Sequence, residues 1–90
     1  MEFEFDEKKS TDNLNKHGID FVEAQQIWAD LKRLEVPAKT DGSELRFMVI
    51  GEVNGKVWSA VVTYRGSTVR IISVRHTREK ELAAYEGEND

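Results

Sequence analysis

Apolar and polar positions alternate most clearly between Glu44 and His76, where three runs rich in Val, Ile, Phe, Trp and Thr are separated by Asn54-Gly55 and by Arg65-Gly66-Ser67. Connections this short between β-prone runs predict a three-stranded antiparallel meander. A two-residue turn at Asn54-Gly55 fixes the first register. It sets Gly51 opposite Trp58, Val49 opposite Ala60, Phe47 opposite Val62 and Leu45 opposite Tyr64 on one, almost wholly apolar, side. The other side carries Arg46 beside Thr63, Met48 beside Val61, Ile50 beside Ser59 and Glu52 beside Val57, a mixed surface that is the candidate working face.

The second connection leaves two registers open. A two-residue Gly66-Ser67 turn sets Arg70 opposite Thr63 and beside Arg46 on the mixed face. A type I turn over Tyr64-Arg65-Gly66 with a bulge instead sends Val69, Ile71, Ser73 and Arg75 to the face of Val61 and Arg46.

The rest of the pattern predicts cover for this sheet. Glu2-Phe3-Glu4-Phe5 alternates and predicts a short edge strand burying Phe3 and Phe5. Asp6 is placed to cap a short helix through Lys16, closed by Gly18, with Leu14 as its one strong apolar anchor. Asp20-Phe21-Val22-Glu23 resembles a capping box, and Phe21, Ala24, Ile27, Trp28, Leu31 and Leu34 recur at helical spacing, predicting the main covering helix from Asp20 to about Arg33. Pro37 and Lys39-Thr40-Asp41-Gly42-Ser43 mark the longest polar connection. Thr77 predicts the cap of a terminal helix with Leu82 and Tyr85 on one face and Gly87 at its end, before an acidic tail. The sum is an α+β domain spanning residues 1–90: four strands in a mainly antiparallel sheet, helices packed on one face, and a short C-terminal helix.

Composition narrows the chemistry. The chain has 90 residues, enough for one domain, no Cys for a disulfide or thiolate metal site, and no apolar run of membrane length, so cytoplasmic residence and no membrane partner are expected. The formal charge is -4, yet Arg46, Lys56, Arg65, Arg70 and Arg75 concentrate in the sheet while acidic residues crowd both ends. Two histidines separated by most of the chain, no Cys and no strand carboxylate cluster predict neither a metal site nor a nucleophilic triad, and no cofactor is expected. Guanidinium groups suit phosphate oxygens, so the sheet arginines either bind a nucleic-acid backbone or are solvated partners of Glu44, Glu52 or Glu79. His17 suits proton transfer or a helix end, and Tyr85 suits proton donation, base stacking or packing.

Several segments together have a familiar look: Phe3-Glu4-Phe5-Asp6, Lys9, Asn13, Lys16-His17-Gly18-Ile19, Phe21, Ala24, Arg46, Gly51, Arg65-Gly66, Arg70-Ile71-Ile72-Ser73-Val74-Arg75, and Glu81 with Tyr85. This set resembles the BrnT toxins of bacterial type II toxin-antitoxin modules, which share the RelE-like fold, and the resemblance spans nearly the whole chain. It implies an endoribonuclease that blocks translation, without metal or organic cofactor, by attack of a ribose 2′-hydroxyl on the adjacent phosphate. It also implies a BrnA-like ribbon-helix-helix antitoxin that binds operator DNA, in a heterotetramer with the toxin. On that basis Arg75, Arg70 and Arg46 are candidate catalytic contacts, with His17 and Tyr85 for proton transfer, and Arg65, Arg46 and Lys56 bind RNA. The chain departs from the pattern in its acidic balance and in Glu79, where a basic residue is expected. These departures keep a second class open: a non-catalytic or attenuated member that binds protein or acts as co-repressor.

Overall fold

A computed structural model describes residues 1–40 and 42–87. Asp41 of the polar connection, and Glu88 and Asp90 of the acidic tail, lie outside the described residues. The elements are β1 (Glu2–Glu4), α1 (Glu7–His17), a 3₁₀ helix (Glu23–Ala29), β2 (Leu34–Pro37), β3 (Phe47–Val53), β4 (Lys56–Arg65), β5 (Thr68–His76) and α2 (Glu79–Glu86). The sheet order is β1-β5-β4-β3-β2, with β1 parallel to β5 and all other neighbours antiparallel.

The α+β class and the meander are as the pattern predicts, but the sheet has five strands rather than four. The fifth is β2, cut from the segment expected to continue the covering helix. Asp20 starts that segment as anticipated, its Oδ1 accepting from Val22 N and Glu23 N at 3.0 and 2.8 Å. The helix stops at Asp30, whose carboxylate accepts from Lys32 N (2.8 Å) and from Glu52 N on β3 (2.8 Å) and so turns the chain toward the open edge of β3. A polar side chain that binds nearby backbone N–H groups competes with helix continuation. Beyond the break, Leu34-Glu35-Val36-Pro37 alternates and pairs with Ile50 to Phe47, Pro37 being tolerated on an edge strand. Leu31, expected on the apolar helix face, is therefore 95% exposed in the turn.

The core lies between one sheet face and the layer of α1 and the 3₁₀ helix. Val49, Val53, Trp58, Ala60, Val62, Val69, Ile71 and Val74 meet Ile19, Phe21, Ala24 and Ile27, with Phe3, Phe5, Trp28 and Phe47 at the margin. Gly51 has a packing reason: a Cβ there would stand 2.8 Å from the Ile27 Cγ2, so the 3₁₀ helix approaches β3 only because no side chain intervenes. Helix α1 is held differently from expectation, since Leu14 is 44% exposed and the buried residues are Ser10 and Asn13. Ser10 Oγ accepts from Phe21 N (2.9 Å), while Asn13 donates to the Ile19 carbonyl (2.8 Å) and accepts from Val74 N (3.2 Å). Polar side chains tie this helix to β5 where the apolar periodicity is weak.

The second hairpin combines both open registers. Arg65 pairs with Thr68 across Gly66-Ser67, which puts Arg70 opposite Thr63 as in the first alternative. The pairing then slips by one residue, Val62 opposing Ile71 but Val61 opposing Ser73, so that Arg75 lies opposite Ser59 as in the second. This bulge keeps Val69, Ile71 and Val74 in the core while Arg70, Ser73 and Arg75 share the mixed face. The predicted pairing of Leu45 with Tyr64 is not made within β3, which starts at Phe47; Leu45 is exposed and its carbonyl accepts from Thr63 Oγ1 instead.

Candidate active site

The mixed face is partly roofed. Helix α2 packs on β3, and Ile50 and Ser59 beneath that end are fully buried. Helices therefore lie on both sides of the sheet, with α1 and the 3₁₀ helix on the core side. The cap of α2 is Arg78 rather than Thr77, because the Glu81 carboxylate reaches back to Arg78 N at 3.0 Å. Thr77 Oγ1 instead meets Ser59 Oγ at 3.0 Å.

Glu81 is the centre of this end. Arg75 grips it with both guanidinium ends, Nη1 to Oε1 and Nη2 to Oε2 at 2.8 Å each, and Ser59 Oγ donates to Oε1 at 2.9 Å. With Arg78 N, four donors surround one carboxylate. The Arg75 fork above all, and then the Arg78 and Ser59 donors, outweigh burial and lower the Glu81 pKa to about 2. The same hydrogen bond raises that of Arg75. Arg75 Nη1 also donates to the His76 carbonyl (3.2 Å), and Nη2 lies 3.6 Å from the Met48 sulfur, anchoring the side chain over the mixed face. A planar fork with a neighbouring hydroxyl and backbone N–H is a seat for an oxyanion of carboxylate or phosphate type.

The other arginines are likewise engaged by carboxylates. Arg70 Nη1 donates to Glu4 Oε2 at 2.7 Å, and Arg65 Nη1 stands 3.7 Å from the same oxygen. Arg46 Nε is 3.5 Å from Glu44 Oε1. None of these partners is Glu52 or Glu79; Glu44 alone was among those expected. Glu4 comes into play through the parallel pairing of β1, which sets it opposite Arg70. Arg70 and Arg65 thus form one pair of cations around Glu4, and Arg75 belongs to a separate cluster with Glu81.

Tyr85 is committed elsewhere. Its hydroxyl donates to Asp30 Oδ2 at 2.5 Å, and that bond, with burial and the carboxylate's charge, pushes its pKa up to about 12. On the other side of the contact, burial works against the Asp30 charge, but Tyr85 and the N–H groups of Glu52 and Lys32 together hold its pKa below the usual value. The contact ties α2 to the turn before β2. Tyr64 behaves similarly, burial and then a hydrogen bond to Glu35 pushing its pKa up to about 12.

His17 ends α1 on the core side of the sheet, the face opposite the one that carries Arg75, and there it meets His76. The two rings are edge to face, with centroids 6.2 Å apart, and His76 stacks on Trp58 at 4.4 Å. Lys56 Nζ lies 5.7 Å from the Trp58 ring, at the same end of the molecule. Sequence reasoning therefore missed Ser59 and His76, and it missed the contacts of Glu81 and Glu4, which it named within the family resemblance. Among the described residues no group of three or more His, Asp or Glu side chains is arranged to hold a metal ion.

Residues 5–81 match the family model described as ribonuclease toxin, BrnT, of type II toxin-antitoxin system. The chain belongs to the BrnT family. No curated protein matches it. Membership makes this a type II module ribonuclease toxin, for which an RNA substrate and an antitoxin partner follow. The match takes in the arginine face, the Arg75–Glu81 contact and both histidines of this BrnT chain. No described helix is long and apolar enough to cross a membrane.

Proposed function

We propose that the chain is an endoribonuclease that cuts RNA by attack of a ribose 2′-hydroxyl on the adjacent phosphate, using side chains alone, and thereby inhibits translation. The single observation that supports this best is the Arg75 seat, where a fork, a hydroxyl and a backbone N–H converge on two oxygens of Glu81. A phosphodiester offers the same two-oxygen edge, and fixed cationic donors stabilise the extra charge of a pentavalent transition state. Arg75 is the leading contact with that charge, Arg70 and Arg46 extend it along the face, and Arg65 and Lys56 hold flanking phosphates. His17 moves protons. Tyr85, its hydroxyl given to Asp30, positions α2.

The antitoxin in this proposal is a BrnA-like ribbon-helix-helix protein that covers the sheet or an adjoining helix face and carries the toxin to operator DNA, in a heterotetramer. One observation favours a second function: Glu81 occupies the Arg75 fork and Glu4 occupies that of Arg70, as in an attenuated member acting as co-repressor.

Incubating antitoxin-free protein with RNA in EDTA separates the two. The ribonuclease gives fragments with 2′,3′-cyclic phosphate and 5′-hydroxyl ends. Intact RNA, together with a stable antitoxin complex on gel filtration, favours the co-repressor.

A further inference from the structure

We infer that His17 and His76 form the proton-transfer pair of this ribonuclease, His76 being a catalytic residue in its own right. The inference rests on the ribonuclease function proposed above and adds the second group that this chemistry needs.

Cleavage by a 2′-hydroxyl requires two proton movements. One imidazole nitrogen takes the 2′-hydroxyl proton as that oxygen bonds to phosphorus. The bond from phosphorus to the 5′ oxygen breaks, its electron pair leaves with that oxygen, and the other imidazolium supplies the proton that completes the 5′-hydroxyl. The products are a 2′,3′-cyclic phosphate and a 5′-hydroxyl; the two rings have exchanged protonation states, and solvent restores them. No oxidant or further reactant enters. One residue cannot do both jobs at once, because the two oxygens lie on opposite sides of phosphorus.

His17 and His76 meet the geometric need. Their centroids are 6.2 Å apart with planes at 78°, a separation that one phosphodiester can span. Each ring is fixed from a different element, His17 by the end of α1 and His76 by stacking on Trp58 with planes 27° apart. Trp58 is itself buried, so the platform is rigid. His76 is exposed and His17 half-buried, which leaves the pair open to a large substrate. Lys56, over the neighbouring Trp58 ring, supplies a cation for a flanking phosphate. Arg75 reaches the His76 carbonyl from the opposite face, so strand β5 brings the arginine seat and the imidazole pair to the same strand end.

The test uses full-length His17→Gln, His76→Asn and His76→Phe, the last keeping a ring on Trp58 that carries no proton. On an all-oxygen RNA oligonucleotide each variant should lose about 10²-fold or more in cleavage rate. On the same oligonucleotide with sulfur replacing the 5′ oxygen at one linkage, whose thiolate leaves without a proton, the variant lacking the acid should recover to within about tenfold of the parent. The variant lacking the base should not. Circular dichroism melts of His76→Phe near the parent midpoint show that the loss is not unfolding. Cleavage by both His76 variants within about threefold of the parent overturns the role of His76 alone. Recovery of both positions, or of neither, on the sulfur substrate overturns the pairing. A parent that cuts neither substrate overturns the ribonuclease function and this inference with it.

Discussion

Arg75 and Glu81, six residues apart, hold each other through two parallel 2.8 Å hydrogen bonds across the junction between β5 and α2. The contact joins stability to chemistry, because the group expected to steady the phosphate also pins the terminal helix.

Removing Arg75 should therefore show in two readouts. Arg75→Ala is expected to lower RNA cleavage by about 10² to 10³ and, by stranding a mostly buried carboxylate, to cost about 1 to 3 kcal/mol. Glu81→Gln should share the loss of stability without sharing the loss of rate. Measuring thermal midpoint and cleavage for both variants and for Arg75→Lys checks this; equal rate losses for Arg75→Ala and Glu81→Gln would make the contact structural only.

The same pair sets an acid limit. With its pKa lowered to about 2 in the folded protein from the ordinary carboxylate range, Glu81 stabilises the fold above the unfolded pKa, and that contribution disappears as pH falls toward 2. The parent should exceed Glu81→Gln in stability by about 2 kcal/mol at neutral pH, and the two curves should converge near pH 2. Denaturant titrations at a series of pH values read the convergence.

At the alkaline end the tyrosines act. Both pKa values are pushed up to about 12, Tyr85 chiefly by its bond to Asp30 and Tyr64 chiefly by burial. A raised acid stabilises the fold below its unfolded value near 10 and loses that contribution as pH rises through the folded one. Absorbance at a phenolate wavelength should show no native tyrosine titrating near pH 10. Tyr85→Phe should halve the amplitude of the late transition, and Asp30→Asn should shift half of it to lower pH.

The core offers a sharper pair. Trp58 is 6% exposed and lies opposite Gly51, where the backbone of the 3₁₀ helix comes closest. Trp58→Ala should cost about 3 to 5 kcal/mol, and Gly51→Ala about 1 to 3 kcal/mol through the clash with Ile27. Urea denaturation measures both, and a loss under about 1 kcal/mol at Trp58 would contradict its place in the core.

Glu4 governs Arg70 and Arg65. Since it engages Arg70 and lies near Arg65, Glu4→Gln should tighten binding of single-stranded RNA and steepen its dependence on salt, each freed cation adding about 0.7 to the slope. Fluorescence anisotropy at several salt concentrations tests this, and an unchanged slope would mean that these cations never reach phosphate.

What could be read from the sequence was local. Asn54-Gly55 set the β3–β4 register because a tight turn leaves no freedom, and the Asp6 and Gly18 ends of α1 are short-range chemistry. Strand β2 was hidden because Leu31 and Leu34 continue a helical period, and Asp30 becomes a stop by binding Lys32 N beside it and Glu52 N on a distant strand. At the site, the arginines were visible as residue types, but their partners were not. Glu4 reaches Arg70 through a parallel pairing 66 residues away, and the histidines meet only once α1 has docked on β5. Glu81 was visible as part of the family resemblance, not as the acceptor of Arg75.

The slip beside Val61 and Val62 works as a phase change in a strand whose sides otherwise alternate. Upstream of it, odd-numbered residues of β5 point inward; downstream, even-numbered ones do. Ile72 is the extra residue: removing it would restore plain alternation with Val74 still facing in and Arg75 still on the mixed face, whereas removing a residue from the plainly alternating stretch on either side would turn part of the strand over. The bulge is consequently the one place in β5 where the chain can shorten without turning a face over, and a chain lacking Ile72 should fold far more readily than one in which the core residue Ile71 is replaced by a polar one.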